Sequence, residues 1–219
     1  MRKEAYFKPE TLQAKAREML LPVEADRRRH AMICLRPREA ALLVLDMQDY
    51  FLQADSHAFI PAAPAIVEGI ARLRDAFLAA RRPVVFTRHV NTPEDAGMMS
   101  TWWRDLISPQ DACSHIVKTL NTSNCILLEK SQYNAFWGTS LDSILRGLGV
   151  GQVVVTGVMT HLCCESTARS AFVRGFEVFF VVDGTATYTE ALHSASLLTL
   201  AHGFAVPVLV DEIRQAFDA

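Results

Sequence analysis

The segment VVVTGVMTHLCCEST, residues 153–167, runs from an apolar stretch through Gly157 into two adjacent cysteines, Cys163 and Cys164. A thiol near the start of a helix faces unpaired backbone N–H groups and the positive end of the helix dipole, and both favour thiolate over thiol. Either cysteine could therefore attack a carbonyl carbon. Successive helical residues point about 100° apart, so only one of the two can face a pocket, and sequence position does not choose between them. The competing reading for each is inert packing, since free cysteine is among the most commonly buried residue types. A disulfide between them is disfavoured: adjacent Cα atoms sit about 3.8 Å apart, below the usual range of about 4.4–6.8 Å. Two further residues could complete the chemistry. Asp46 closes the apolar run ALLVLD and Lys130 closes CILLEK, giving an acid, a cation and a thiol that can converge. Taken singly, each has an ordinary explanation, a turn or cap for the aspartate and a solvated charge for the lysine.

The elements that must bring these residues together are legible as alternating apolar runs and amphipathic stretches. ALLVLD (41–46), PVVFTRH (83–89), CILLEK (125–130), QVVVTG (152–157), EVFFVVD (177–183) and AVPVLV (205–210) read as strands, and residues 63–82, 140–149, about 162–174 and 189–203 as helices. Continuous rather than alternating apolar strands separated by helices predict a parallel sheet covered on both faces. Ligands bind such sheets at the carboxyl ends of the strands, near the point where strand order reverses. That edge carries Asp46, Arg88, His89, Lys130, the segment from Gly157 to Cys163, and Asp183.

Bulk properties narrow the function classes. The 219 residues, half of them hydrophobic, suit one domain (1–219) with residues 1–35 as an N-terminal helical arm. A net charge of -2 and a pI near 6.4 give no electrostatic reason to expect nucleic acid. No apolar run approaches the ~18 residues that would span a bilayer. Five irregularly spaced cysteines behind an N-terminus without a signal-peptide core suggest a reduced, cytoplasmic setting. No zinc-type CxxC pair or HExxH is present.

LLVLDMQDYF (42–51), EKSQYNAFWGTSLDSILRGLGV (129–150) and VVVTGVMTHLCCESTARSAFVRGFEV (153–178) resemble the three signature blocks of the isochorismatase-like cysteine hydrolases. The resemblance covers most of residues 40–210. It implies a three-layer α/β/α Rossmann-like fold with about six mainly parallel strands. It further implies a catalytic Asp46, Lys130 and Cys163, with Cys164 as packing. A cis Val158–Met159 peptide would aim the N–H groups of Met159 and Cys163 at a developing oxyanion. The implied reaction is hydrolysis of a small-molecule C–N bond through a Cys163 thioester, with no cofactor and a homodimeric or homotetrameric assembly. Two alternatives stand beside it: an isochorismatase-type vinyl-ether hydrolase using Asp46 and Lys130, and a non-catalytic oligomeric binding module on the same fold.

Nicotinamidase-type relatives carry a metal-binding Asp/His cluster after the second strand. The corresponding stretch here, TRHVNTPEDAGMMSTWWRDL, holds His89 alone, which disfavours a nicotinamidase and predicts no metal. Candidates for the substrate pocket are Gln48, His89, Trp103, Tyr133, Phe136 and Val158. The alternatives are orienting Asp46 or capping a turn for Gln48, core packing for Trp102 and Trp103, and cover for the sheet end for Tyr133 and Phe136. His161 is expected to point away from the sulfur, and Asp183 to tie a turn. The arm, with Leu12, Ala16 and Leu20 on one helical face, could pack on its own domain or reach a second subunit.

Overall fold

Strands that are apolar on both faces are satisfied only where helices cover the sheet on both sides. In the computed structural model, which describes residues 2–218, this is the arrangement. The strands are β1 (Ala40–Leu45), β2 (Val84–His89), β3 (Ile126–Lys130), β4 (Gln152–Val158), β5 (Glu177–Ala186) and β6 (Val206–Val208). They form one sheet in the order β3-β2-β1-β4-β5-β6, and every neighbouring pair is parallel. The helices are α1 (Leu12–Leu20), α2 (Glu24–Arg29), α3 (Asp49–Leu52), α4 (Ala63–Ala79), α5 (Met99–Trp102), α6 (Leu141–Gly147), α7 (Glu165–Val173), α8 (Glu190–Gly203) and α9 (Val210–Asp218).

The chain leaves β1 towards β2 in one direction and leaves β4 towards β5 in the other. Right-handed crossovers therefore put α4 on one face and α7 and α8 on the opposite face. α9 packs on α4, and α7 packs on α8. Strand order reverses between β1 and β4, the central strands, which are buried along their whole length. Leu42, Leu43 and Leu45 of β1 are fully buried, each contributing roughly 1.5–3 kcal/mol of hydrophobic stabilisation. Gly157 adjoins β1 with φ of 109°, and a Cβ there would run into the Leu45 carbonyl oxygen. Only glycine lets the two central strands close at the site edge.

Three elements depart from the sequence reading. β3 is an edge strand, so its apolar run is not buried throughout: Leu127 is 60% exposed while Lys130 is buried. β6 stops at Val208 because α9 starts two residues later, with the Val210 N–H donating to Asp183 Oδ1 at 2.8 Å. A five-residue π-turn, Thr160–Cys164, precedes α7, so helical backbone begins two residues earlier than expected. α1 buries Leu12, Ala16, Met19 and Leu20, and it packs beside β5. No helix among the described residues is long and apolar enough to cross a membrane.

Candidate active site

Asp46 follows β1 with φ of 50°, in the left-handed region that aspartate tolerates better than most residues. Lys130 ends β3, and Cys163 lies in the π-turn after β4. The sheet brings all three together although Lys130 stands on the edge strand, two positions from β1. The side chains of Asp46 and Lys130 are completely buried, with Lys130 Nζ 2.7 Å from Asp46 Oδ2.

An ammonium has three N–H bonds to give. Four acceptors surround Lys130 Nζ and share them: Asp46 Oδ2 at 2.7 Å, the Gln132 carbonyl oxygen at 2.9 Å, His89 Nδ1 at 3.3 Å and Cys163 Sγ at 3.5 Å. Asp46 Oδ2 is the nearest of the four to the ammonium. Its sister oxygen Oδ1 accepts from the Thr87 hydroxyl at 2.6 Å. The carboxylate is held through both oxygens, and Oδ2 keeps a second lone pair for a proton.

The hydrogen bonds also set the His89 tautomer. Lysine only donates, so Nδ1 is the acceptor and Nε2–H donates to Asn91 Oδ1 at 2.9 Å. Asn91 is oriented in turn by donating Nδ2–H to the Ser131 carbonyl oxygen at 2.9 Å. Burial and then the Lys130 charge push His89 down to about 4, so the imidazole is neutral at physiological pH. A carboxylate oxygen of Asp46, a ring nitrogen of His89 and Cys163 Sγ all lie within 4.8 Å of one another, a donor set that could hold a metal ion. The Lys130 ammonium is the cation that contacts all of them here.

The surroundings of Cys163 oppose the preference for thiolate that a helix start confers. Burial, reinforced by the Asp46 charge and opposed by Lys130, pushes the Cys163 thiol up to about 12. Burial would raise the Asp46 carboxyl as well, but Lys130 and His89 hold it below the ordinary carboxylate value. Lys130 is lowered by burial and raised more by Asp46 and Cys163, so it stays charged. The resting protonation state is ammonium, carboxylate and thiol. One consequence has a definite sign. Asp46→Asn removes a charge that keeps the thiol protonated and leaves the ammonium acting alone. Alkylation of Cys163 by iodoacetamide at pH 7.5, read by peptide mass spectrometry, is expected to rise about tenfold, one pKa unit's worth of thiolate. Slower alkylation than in the unmodified protein would contradict this electrostatic assignment.

Cys163 opens onto a cavity of about 220 Å³ whose lining includes His89, Asn91, Trp103, Tyr133, Met159 and Leu162. The Trp103 indole N–H donates to the Tyr133 hydroxyl at 2.7 Å, joining two of these walls. Trp103 is 37% exposed and Trp102 73%, so neither is a core residue. Three expected pocket residues lie elsewhere. Gln48 is buried beneath the site, where its amide accepts from the His89 N–H at 2.8 Å and donates to the carbonyl oxygens of His89 and Ser114 at 2.9 and 2.8 Å. Phe136 stacks on Phe176 with ring centroids 6.0 Å apart. Val158 is fully buried in β4, and the peptide joining it to Met159 is cis. Tyr50, in the short helix α3, and His57, Arg104 and Tyr188, on loops, also line the cavity; none stands in a stretch with a periodic signal.

The second cysteine is placed differently. Cys164 is fully buried, with Sγ 3.8 Å from the Thr156 carbonyl oxygen. His161 is tied to Thr187, Nδ1 to Oγ1 at 2.7 Å. Asp183 accepts from the Val210 N–H and, at 3.0 Å, from Gln13 Nε2, a structural tie outside the cavity.

The Isochorismatase domain family matches residues 40–212 of this chain. The chain belongs to the isochorismatase family. Among curated relatives, nicotinamidase 3 of Arabidopsis thaliana is 42% identical over 182 residues, covering 81% of this chain and 88% of that protein. Enterobactin synthase component B of Escherichia coli (strain K12) is 30% identical over 183 residues, 82% of this chain and 64% of that protein. Among solved structures, a cysteine hydrolase from Pseudomonas syringae pv. phaseolicola has a TM-score of 0.81 at 25% identity, covering 84% of this chain and 94% of that one. N-carbamoylsarcosine amidase from Thermoplasma acidophilum has a TM-score of 0.70 at 26% identity, covering 79% and 97%. The relative at 42% identity bears the name of an activity that the lone His89 disfavours for this chain.

Proposed function

We propose that this isochorismatase-family hydrolase cleaves the C–N bond of a small amide or ureido compound through a thioester on Cys163. The observation that carries this reading is the thiol open to the cavity beside a carboxylate with an unused lone pair and a buried ammonium. Cys163 Sγ attacks the carbonyl carbon as its proton passes to Asp46 Oδ2, so the nucleophile is made only when it is used. The N–H groups of Met159 and Cys163 are the proposed donors to the tetrahedral oxyanion; in support, both residues line the cavity. Collapse breaks the C–N bond, and Asp46 returns the proton to the departing nitrogen as ammonia or amine leaves. Water then attacks the thioester, giving one proton to Asp46 and forming the carboxylic acid. That proton goes back to the sulfur as the C–S bond breaks.

The cavity is small and largely apolar, with Met99, Leu106, Ile107 and Leu162 among its walls, which suits a compact acyl group rather than a polymer. The names of the relatives put nicotinamide and N-carbamoyl amino acids first in a test panel. A vinyl-ether reading would use Asp46 as an acid and leave the thiol idle, so the thiol's place at the cavity favours the amide. The expected result is ammonia release from a panel member together with an acyl mass increment on the peptide bearing Cys163 after acid quenching. Ammonia release with an unmodified Cys163 under single-turnover conditions would sink the thioester, and cleavage of isochorismate with no amide turned over would favour the vinyl-ether reading.

A further inference from the structure

The N-terminal residues 3–7 precede the family-matched region, yet they touch the pocket walls at several points. Lys3 Nζ donates to the carbonyl oxygens of His57 at 2.6 Å and Phe59 at 2.8 Å. The same ammonium lies 4.4 Å from the centre of the Tyr188 ring. His57, Ala58 and Tyr188 all line the cavity, and the Tyr188 hydroxyl donates to the Ala58 carbonyl oxygen at 3.3 Å. One cation thus joins two wall segments that are far apart in sequence. The main chain of the arm adds to this: the Glu4 N–H donates to the Tyr188 carbonyl oxygen at 2.8 Å, and Glu4 Oε2 accepts from the Glu190 N–H at 3.0 Å.

Tyr6 completes the attachment. Its hydroxyl accepts from the Thr187 N–H at 2.9 Å and bonds His193 Nδ1 at 2.9 Å. Burial pushes His193 down to about 3, which keeps the imidazole neutral. Phe7 is buried, edge-on to the same imidazole with centroids 5.4 Å apart. Thr187 Oγ1 meets His161 on the turn that carries Cys163. A continuous line of contacts runs from the arm through Thr187 to the nucleophile's turn.

We propose that residues 3–7 form a positioning strap that clamps the 57–59 and 187–188 walls of the pocket and so sets its affinity for substrate. Lys3 is the cross-link and Tyr6 the anchor. No strap residue contacts the reacting atoms, so its loss loosens the walls while leaving Asp46, Lys130 and Cys163 in place. The kinetic part of this inference rests on the amide-hydrolase reading above; the structural part does not.

The test uses the full chain with Lys3→Met and, as a second variant, Tyr6→Phe, both compared by amide hydrogen exchange and by steady-state kinetics on whichever panel amide the unmodified protein turns over. Lys3→Met is expected to raise exchange at residues 57–60 and 187–190 without altering exchange in β1 and β4. It is also expected to raise KM about tenfold with kcat within about twofold, and Lys3→Arg is expected to recover most of both effects. Tyr6→Phe is expected to raise exchange at Thr187. Unchanged exchange in both wall segments of Lys3→Met overturns the strap, as does a fall in kcat with KM unmoved. If exchange rises as expected but the unmodified protein hydrolyses no amide, the strap stands and the amide reading fails.

Discussion

Cys163→Ala is expected to lower kcat for amide hydrolysis by at least about 10³-fold, the scale seen when a covalent nucleophile is removed. The protein should still fold, because the substitution removes one sulfur from the edge of a cavity rather than a charge from the core. Circular dichroism and an unchanged elution volume would check that. Asp46→Asn should cost a comparable amount, for a different reason: the thiol becomes easier to ionise, but nothing remains to carry its proton to the leaving nitrogen. Effects of groups acting in one step do not add, so the double variant should be little worse than either single one. Full amide turnover by Cys163→Ala would end the thioester mechanism. Undiminished isochorismate cleavage by the same variant would point to Asp46 and Lys130 as the working pair.

The largest effect on stability is expected from Lys130→Met. The substitution keeps the buried stem and removes the charge opposite Asp46, leaving a fully buried carboxylate without its partner, at a cost of about 3–5 kcal/mol at pH 8. The dependence on pH follows from the directions of the shifts. Asp46 is held below its ordinary value, so its contribution is present above about pH 4 and is lost as pH falls through the lowered value. Lys130 is held above its ordinary value, so its contribution is present below about pH 10 and is lost as pH rises through the raised value. The pair therefore stabilises the protein across the whole neutral range. In Lys130→Met the aspartate sits in a buried site with no cation, and burial then raises its carboxyl above the unfolded value. Lowering the pH protonates it in the folded state and relieves the penalty. His89, no longer beside an ammonium, also becomes easier to protonate and acts in the same direction. Urea unfolding should show a deficit against the unmodified protein that is larger at pH 8 than at pH 5. Adding Asp46→Asn should recover most of it. An equal deficit at both pH values would mean that the loss is one of packing rather than of charge.

The parts of the molecule that could be read from sequence were those specified by local pattern. Six apolar runs marked six strands, and the residues closing three of the runs or following them, Asp46, Lys130 and Cys163, did converge, because a parallel sheet delivers strand ends to one edge. What was missed depends on neighbours distant in sequence. Gln48, a pocket candidate by sequence, instead ties the end of β2 to the Ser114 segment through the Ser114 carbonyl and the backbone of His89. Phe136 went to the wrong place because its partner, Phe176, stands at the start of another strand. CILLEK looked buried because an apolar run does not show whether its strand has one neighbour or two. The thiol's environment is hidden from sequence for the same reason. The dipole of its own helix is a local feature, whereas the burial that raises the thiol, and the Asp46 charge that adds to it, come from elements distant in sequence. Tyr50, His57 and Tyr188 could have been found only by knowing which segments meet over the cavity.

The completely buried Asp46–Lys130 pair also has an electrical consequence. Ammonium, carboxylate and thiol together carry no net charge, and neither do ammonium, carboxylic acid and thiolate. Making the nucleophile moves a proton across a few ångströms inside a neutral cluster, and no charge is brought in from water or sent out to it. The surrounding low-dielectric core, which would resist a lone ion strongly, sees only a small change of dipole. Dissolved ions beyond the protein surface have correspondingly little hold on that step, since screening acts on charges that face the solvent.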